Sequence, residues 1–169
     1  MSVTLRPATE ADLMPVGALH QRSRVAAYSS FLPPESLAEP TAEAMGSYWV
    51  ERWGWERDDH LMTVAERDGA LVGFSYVGPD DEGDPETGLL HAIHLAPAER
   101  GRGVGRELMV DALATMRSRG WSRAVLWVLA ENAPARRFYE RGGWAPTGAE
   151  RADLIGSAVT TQLRYARPL

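Results

Sequence analysis

One run of the chain constrains the fold more than any other: an apolar strand, a glycine-rich turn, an amphipathic helix and a second apolar strand. The first strand is predicted at residues 89–95, and the helix runs from Val104 until Gly120 interrupts the helical spacing of apolar residues. The second strand, residues 124–129, is apolar without alternation. Two strands joined through a helix run parallel. The chain is therefore predicted to contain the crossover unit of an α/β fold.

Shorter patterned segments flank this unit without a linker or an internal repeat, so residues 1–169 are predicted to form one domain. Residues 80–86 are predicted to form a solvated loop, because the segment is too charged to pack. The other predicted elements are a strand at residues 2–6, helices that begin near Thr9, Thr41 and Asn132, hairpin strands at residues 61–66 and 71–77, and a strand at residues 158–165.

Two residue types are missing from the chain, and their absence excludes several chemistries. The 18 Lys+Arg positions are all arginine, and there is no cysteine. A nucleoside-triphosphate loop and a Schiff-base enzyme each need a lysine. Thiolate catalysis and a Cys-ligated zinc site need a cysteine. None of these functions is expected, and no metal is expected at the site.

The overall composition predicts a soluble, cytoplasmic protein. Apolar residues make up 44% of the 169-residue chain, which is enough for a core without disulfides. The first fifteen residues contain no apolar leader segment, and the apolar runs are far shorter than the ~20 residues of a membrane span. The net charge of −5 argues against a nucleic-acid partner. Neither a nucleic acid nor a membrane is expected as a partner.

The glycine-rich turn, residues 100–106, is predicted to cradle a phosphate. Glycines let the backbone approach a ligand, and the following helix directs free N–H groups and its positive dipole end at an anion. A dinucleotide fingerprint would need glycine at the sixth position counted from Gly101 or Gly103. Arg106 and Leu108 stand there instead. The spacing therefore excludes a dinucleotide-binding turn.

Two motifs, one before the crossover helix and one after the second strand, together point to a family. Their residues, in order, are Arg100, Gly103 and Gly105, and then Asn132, Ala135, Tyr139, Gly143 and Trp144. This order resembles the GCN5-related N-acetyltransferase (GNAT) superfamily. Its first motif is Gln or Arg, x, x, Gly, x, Gly or Ala, and its second is often Asn, x, x, Ala, x, x, x, Tyr, x, x, x, Gly, Phe. The chain departs from these patterns only in Trp144, where the family has phenylalanine.

The resemblance implies a fold and a co-substrate. The implied fold is a single α/β domain with a mixed, mostly antiparallel sheet, a splayed central pair of parallel strands, and flanking helices. The implied co-substrate is acetyl-CoA, with its pyrophosphate at the glycine-rich turn and its pantetheine arm between the two splayed strands. Asn132 is expected both to cap its helix and to contact pantetheine. The predicted acetyl-CoA-binding residues are Ile93, His94, Leu95, Arg100, Gly101, Arg102, Gly103, Val104, Gly105, Arg106, Asn132, Ala135 and Tyr139.

The resemblance also implies catalytic roles for Tyr139 and Leu95. Tyr139 is expected to protonate the departing CoA thiolate, since the ordinary pKa of a phenol, about 10, lies above that of a thiol, about 8.5. The amide of Leu95 is expected to polarise the thioester carbonyl and to hold the oxyanion that develops on attack. The thioester is accordingly expected beside the end of the first strand.

The general base is predicted to be His91, with His94 as a weaker candidate. Histidine has an ordinary pKa near neutrality, which suits removal of a proton from the attacking amine. Alternation along a strand predicts that the two imidazoles, three residues apart, lie on opposite faces and do not share a metal ion. Glu43 or Glu51, acting through water, is the remaining alternative.

The predicted function is direct transfer of an acetyl group from acetyl-CoA to a primary amine in a ternary complex. The alternative from another class is a non-catalytic module that binds an acyl-CoA and regulates a partner. The acceptor is expected to be a small-molecule or peptide amine, and a homodimer is common in the family.

The distribution of charge adds one expectation about the acceptor. Residues 100–141 carry nine arginines and four acidic residues, whereas the rest of the chain carries nine arginines and nineteen acidic residues. A cationic segment for a polyanionic donor is thus set in an acidic body. Acidic surroundings favour a cationic acceptor.

Overall fold

A seven-stranded mixed sheet organises the structure, a computed structural model that describes residues 2–169. Met1, the first residue of the predicted domain, lies outside the described residues. The strand order is β1-β2-β3-β4-β5-β7-β6, and only β4 and β5 pair in parallel. The predicted fold class is confirmed. The strands are β1 (Thr4–Pro7), β2 (Leu61–Arg67), β3 (Ala70–Pro79), β4 (Thr87–Leu95), β5 (Arg123–Leu129), β6 (Ala145–Ile155) and β7 (Ala158–Pro168).

Helices cover both faces of this sheet. The helices are α1 (Leu13–Tyr28), α2 (Pro34–Leu37), α3 (Ala42–Glu56), α4 (Val104–Ser118) and α5 (Ala133–Arg141). On one face, α1 and α3 bury side chains such as Leu19 and Trp49 against Phe74 and Tyr76 of β3. On the other face, α4 packs in the cluster that also contains Tyr139 of α5. No helix within residues 2–169 has the length and apolar character needed to cross a bilayer.

The parallel strands β4 and β5 separate after a short paired stretch. Thr87 to Leu90 pair with Arg123 to Leu126. Beyond Leu90, β4 continues to pair only with β3, and β5 continues to pair only with β7. The predicted splayed pair is therefore present, and a gap opens between the carboxyl-terminal halves of the two strands.

A β-bulge in β4 corrects the prediction that His91 and His94 lie on opposite faces. Tyr76 pairs with Ala92 but Val77 pairs with Leu90, so the register shifts and one extra residue, His91, is accommodated. The His91 ring contacts Tyr76, and its Nδ1 lies near Arg52 of α3, while the His94 ring contacts His20 of α1. Both imidazoles face the α1 and α3 side, because the bulge breaks the alternation on which the prediction depended.

The acidic segment that follows β3 is exposed from residue 81 to residue 86, as predicted for a solvated loop, but its first residue is buried and anchored to the sheet. Asp80 is buried and accepts a hydrogen bond from Arg164 of β7 at 2.7 Å. Arg164 also forms ion pairs with Glu82 at 2.8 Å and with Asp81 at 3.5 Å. A buried charge requires a partner. The partner, Arg164, is more than eighty residues away, so the local composition did not reveal it.

Strand β6 was missing from the sequence prediction. Its residues are exposed from Ala145 to Leu154, and it pairs only with β7 at the edge of the sheet. An edge strand of this kind lacks the apolar alternation by which strands are recognised.

Helices α1 and α3 cross backbone to backbone at Gly17 and Gly46. A Cβ atom added to Gly17 would lie 2.7 Å from the Met45 carbonyl carbon and closer still to backbone atoms of Gly46. The Cβ of any larger residue would therefore force the helices apart. This close crossing fixes the position of α3 over the sheet.

We predict that Gly17→Ala destabilises the fold by about 1–3 kcal/mol, the usual cost of overpacking a filled contact. The matched control is Gly54→Ala on α3, where an added Cβ meets nothing within 4 Å. Because alanine favours helix over glycine, that variant is expected to be more stable by about 0.5–1 kcal/mol. Urea unfolding of both variants measures the difference. Equal stability of the two variants would contradict the close crossing.

Candidate active site

A cleft of about 650 Å³ opens where β4 and β5 separate. It is bordered by the end of β4, the start of α4, helix α5, and the facing parts of α1 and α3. A cleft of this size suits a small-molecule ligand. The predicted site residues that line it are His91, Ile93, His94, Leu95, Arg100, Gly101, Gly103, Gly105, Arg106, Asn132, Ala135 and Tyr139.

A cradle of unpaired N–H groups lies where the chain enters α4. Gly101 and Gly103 adopt left-handed φ values of 74° and 88°, which L side chains rarely adopt. The N–H groups of these glycines and of the first three residues of α4 have no hydrogen-bond partner among the described residues. Together with the positive end of the helix dipole, they favour an anion such as a phosphate.

The predicted charged and apolar neighbours of this cradle divide into two groups. Arg100 and Arg106 line the cleft, and Arg100 also donates to the Ser23 carbonyl oxygen of α1 at 3.3 Å. Arg102 and Val104 do not line it. Arg102 lies 3.6 Å from the buried Glu99, and the Val104 side chain is buried in the core. Only the backbone N–H of Val104 is directed outward with the cradle.

The backbone of β4 presents polar groups to the gap. Ala96 N–H donates to the Val72 carbonyl, so the neighbouring pair Leu95 and Gly73 is a non-hydrogen-bonded antiparallel pair. The N–H and C=O of Leu95 therefore point away from β3 toward β5. The same alternation directs those of Ile93 into the gap. These groups are unpaired because β5 has already diverged at this level.

Helix α5 contributes Asn132, Ala135 and Tyr139 to the cleft. The Asn132 side chain caps the helix by accepting the N–H of Ala135 at 3.4 Å. The Tyr139 ring packs near Trp144 and Tyr165, and its hydroxyl makes no hydrogen bond to a described residue. Burial raises the pKa of Tyr139 above its ordinary value, and the Tyr28 phenol raises it further. The phenol is thus protonated at neutral pH.

Histidines 20 and 94 form a partly buried pair on the α1 side of β4. Their ring centroids lie 4.2 Å apart, and His94 Nδ1 lies 3.0 Å from the Ser23 hydroxyl. Burial, assisted by Arg24, lowers the pKa of His20 to about 4. Burial also lowers the pKa of His94 well below its ordinary value. Both rings are therefore uncharged at neutral pH.

His91 is held by Arg52 of α3, a residue that sequence reasoning missed. The Arg52 guanidinium donates to His91 Nδ1 at 2.8 Å, which leaves the ring proton on Nε2. His91 Nε2 is buried and has no partner among the described residues. Burial, then Arg52 and His60, lower the pKa of His91 to about 4. The sequence did contain a signal for this role of Arg52. Arg52 lies four residues from both Tyr48 and Glu56, so the three side chains share one helix face.

No group of three or more His, Asp or Glu residues within residues 2–169 is placed to hold a metal ion. The charged residues described above instead pair with one another or line the cleft. The cleft offers backbone amides, arginines, phenols and neutral imidazoles to a ligand.

Splayed parallel strands beside an amide cradle at a helix N-terminus define a class of α/β proteins that bind an extended, partly anionic ligand. The particular family follows from comparison of the sequence: residues 25–144 match the acetyltransferase (GNAT) family. This chain belongs to that family.

Individual relatives agree with the family assignment. Mycothiol acetyltransferase from Thermobispora bispora is 42% identical over 84 residues, covering 48% of this chain and 28% of the relative. Streptothricin acetyltransferase from Streptomyces lavendulae is 35% identical over 105 residues, covering 62% of this chain and 54% of the relative. The chain thus matches less than two thirds of the length of each relative.

A solved structure shows the same fold. The PaiA N-acetyltransferase from Thermoplasma acidophilum, in complex with coenzyme A, matches with a TM-score of 0.83 at 19% identity. The match covers 100% of both chains. At this identity the likeness shows the fold alone.

We predict that the free energy of unfolding falls as the pH is lowered from about 7 to about 5. Histidine in the unfolded chain has a pKa of about 6.5, whereas those of His20 and His91 in the fold are about 4. The unfolded chain therefore binds more protons in this range, and each such histidine contributes at most about 1.4 kcal/mol per pH unit.

Urea unfolding over this range measures the slope. The control is His20→Asn, whose side-chain oxygen replaces the Nδ1 that accepts from Trp49 Nε1 at 3.0 Å but does not titrate. The free energy of unfolding of this variant is expected to depend less steeply on pH. A slope unchanged by the substitution would show that His20 does not titrate differently in the two states.

Proposed function

We propose that this protein transfers the acetyl group of acetyl-CoA to a primary amine by direct attack in a ternary complex. The observation that carries the proposal is the convergence, on one cleft, of the amide cradle at α4 and the unpaired backbone groups of Ile93 and Leu95. This pairing suits a ligand with a phosphate at one end and a chain of amides at the other. The coenzyme A complex of the structural relative supports the same donor.

The donor half of the cleft fits acetyl-CoA. The pyrophosphate takes the free N–H groups of Gly101, Gly103 and the first turn of α4, with Arg106 adding charge. The pantetheine amides pair with the Ile93 and Leu95 backbone, in the place that a further strand would occupy. Asn132, which caps α5, offers its amide N–H₂ from the opposite wall.

The proposed chemistry places the thioester carbonyl beside Leu95. The amine nitrogen attacks this carbon, and the Leu95 N–H stabilises the oxyanion of the tetrahedral intermediate. As the carbon–sulfur bond breaks, the Tyr139 hydroxyl, which is protonated at neutral pH, donates to the departing sulfur. The amine loses one proton and the thiolate gains one, so the reaction is balanced without a covalent enzyme intermediate.

Removal of the amine proton is proposed to proceed through water in the cleft, with His91 as a neutral neighbour. The predicted role of His91 as direct base meets two physical obstacles. Its Nδ1 lone pair already accepts from Arg52, and its pKa of about 4 makes it a weak base. Glu43 and Glu51 are exposed and do not line the cleft.

The proposed function is tested by two measurements on the same protein. The first is the thermal stabilisation produced by acetyl-CoA, and the second is release of free thiol from acetyl-CoA across a panel of primary amines. We expect stabilisation and amine-dependent thiol release. Stabilisation without acetylation of any amine would instead indicate the non-catalytic acyl-CoA-binding module.

We predict that Tyr139→Phe retains stabilisation by acetyl-CoA but loses most turnover, by about 10²–10⁴-fold, the usual contribution of a general acid. The matched control is Tyr28→Phe, which removes another phenol that lines the cleft. Its turnover is expected to stay near that of the unchanged protein. Full turnover of Tyr139→Phe would eliminate Tyr139 as the proton donor.

We predict that His91→Asn lowers kcat/KM by less than tenfold, because its amide oxygen still accepts from Arg52 and the proton leaves through water. A direct general base would instead contribute about 10²–10⁴-fold. The rate is measured against pH with one amine. A loss of a hundredfold or more, together with disappearance of a titration on the acidic limb, would restore His91 as the base.

A further inference from the structure

We infer that the acceptor of this protein is a primary amine that also carries a carboxylate or another anionic group, which Arg52 binds. The inference rests on the proposed function and names the chemical class of its acceptor. It depends on the charges that line the cleft, on the unused hydrogen-bond donors of Arg52, and on the position of Arg52 along β4.

The charges that line the cleft are all positive. Among the described residues, its lining contains Arg52, Arg100, Arg106 and Arg141, and no aspartate or glutamate. Arg100 and Arg106 flank the amide cradle, and Arg141 belongs to α5, so these three lie with the donor. Arg52 is the charged residue that α3 contributes to the lining. The acidic body that favoured a cationic acceptor in the sequence does not extend into this lining.

Arg52 is fixed in place and still has donors to offer. Its Nε donates to Glu56, one Nη to the Tyr48 hydroxyl at 2.9 Å, and the other Nη to His91 Nδ1 at 2.8 Å. A guanidinium has five N–H donors, so two remain without a partner among the described residues. The guanidinium also lies over the Trp49 and Tyr76 rings. A held fork of this kind is suited to a carboxylate.

The carboxylates near this part of the cleft are already engaged. Glu56 accepts from Arg52 and from the Tyr76 hydroxyl at 3.2 Å, and its other carboxylate oxygen lies 3.1 Å from His60 Nε2. Asp81 accepts from Trp127 Nε1 at 3.2 Å and pairs with Arg151 at 3.1 Å. A polyamine would therefore meet the Arg52 cation without a free carboxylate to compensate.

The position of Arg52 sets the shape of the acceptor. Arg52 contacts His91, which precedes Ile93 by two residues and Leu95 by four. The regular rise of a strand sets upper limits of about 7 and about 13 Å on these separations, because the bulge at His91 shortens them. The reacting nitrogen lies beside Ile93 and Leu95. Several bonds therefore separate the amine from the anionic group, as in an ω-amino acid or a short peptide, and an α-amino acid is too short.

The first experiment compares acceptors on the unchanged protein. The panel contains glycine, β-alanine, γ-aminobutyrate, ε-aminocaproate and para-aminomethylbenzoate, each beside the amine of equal length that lacks the carboxylate. Spermidine and cadaverine represent polyamines. We expect kcat/KM to be at least tenfold higher for the longer carboxylated amines than for the matched amines that lack the carboxylate, with glycine the poorest of the carboxylated series.

The second experiment removes the proposed contact. Arg52→Gln is expected to raise KM for the carboxylated amines at least tenfold more than it raises KM for the matched amines that lack the carboxylate. Arg52→Lys retains the positive charge but not the forked guanidinium. Its KM for carboxylated amines is expected to lie between those of the unchanged protein and of Arg52→Gln. The control is Arg57→Gln, which removes an exposed cation of the next helical turn. The preference of this control variant for carboxylated amines is expected to match that of the unchanged protein.

Two outcomes distinguish this inference from the proposed function. Equal or better acetylation of spermidine or of the amines that lack a carboxylate would overturn the inference and leave the function standing. Acetyl-CoA binding without acetylation of any panel member would overturn both. If Arg52→Gln fails to fold, the comparison of acceptors with and without a carboxylate on the unchanged protein still decides the question.

Discussion

The structure depends on the point at which β4 and β5 stop pairing. Up to Leu90 and Leu126 the two strands share a parallel ladder, and beyond it each is held only by its outer neighbour. Buried backbone groups need partners, so a gap in the centre of a sheet is costly unless something polar occupies it. The large core clusters on both faces keep the strands apart and leave the Ile93 and Leu95 backbone groups available to a ligand.

Two faces of the sheet supply different chemistry to this gap. From the face of α4 and α5 come the amide cradle and the phenol of Tyr139, and from the face of α1 and α3 come the neutral histidines and Arg52. In the proposed reaction, acetyl-CoA and the amine would therefore bind against opposite faces of the sheet. This arrangement suits a ternary complex, because neither ligand has to leave before the other arrives.

Local patterns predicted much of this arrangement, and contacts between distant residues account for what they missed. Strand β4, helix α4, the amide cradle and the cap at Asn132 are encoded by residues close together in sequence, so periodicity and glycine spacing located them. The bulge at His91, the Asp80 to Arg164 ion pair and the Arg52 to His91 contact join separate elements. Strand β6 is exposed at the edge, where no apolar pattern is required.

The contact between Gly17 and Gly46 has a consequence for how specificity changes. Because α1 and α3 touch through their backbones, the two helices cannot pack any closer together. New acceptors therefore have to be accommodated by exchanging side chains on the inner stripe of α3, which begins with Tyr48 and Arg52, and not by moving the helix toward α1. The α3 face of the cleft can therefore be engineered by substituting one side chain at a time.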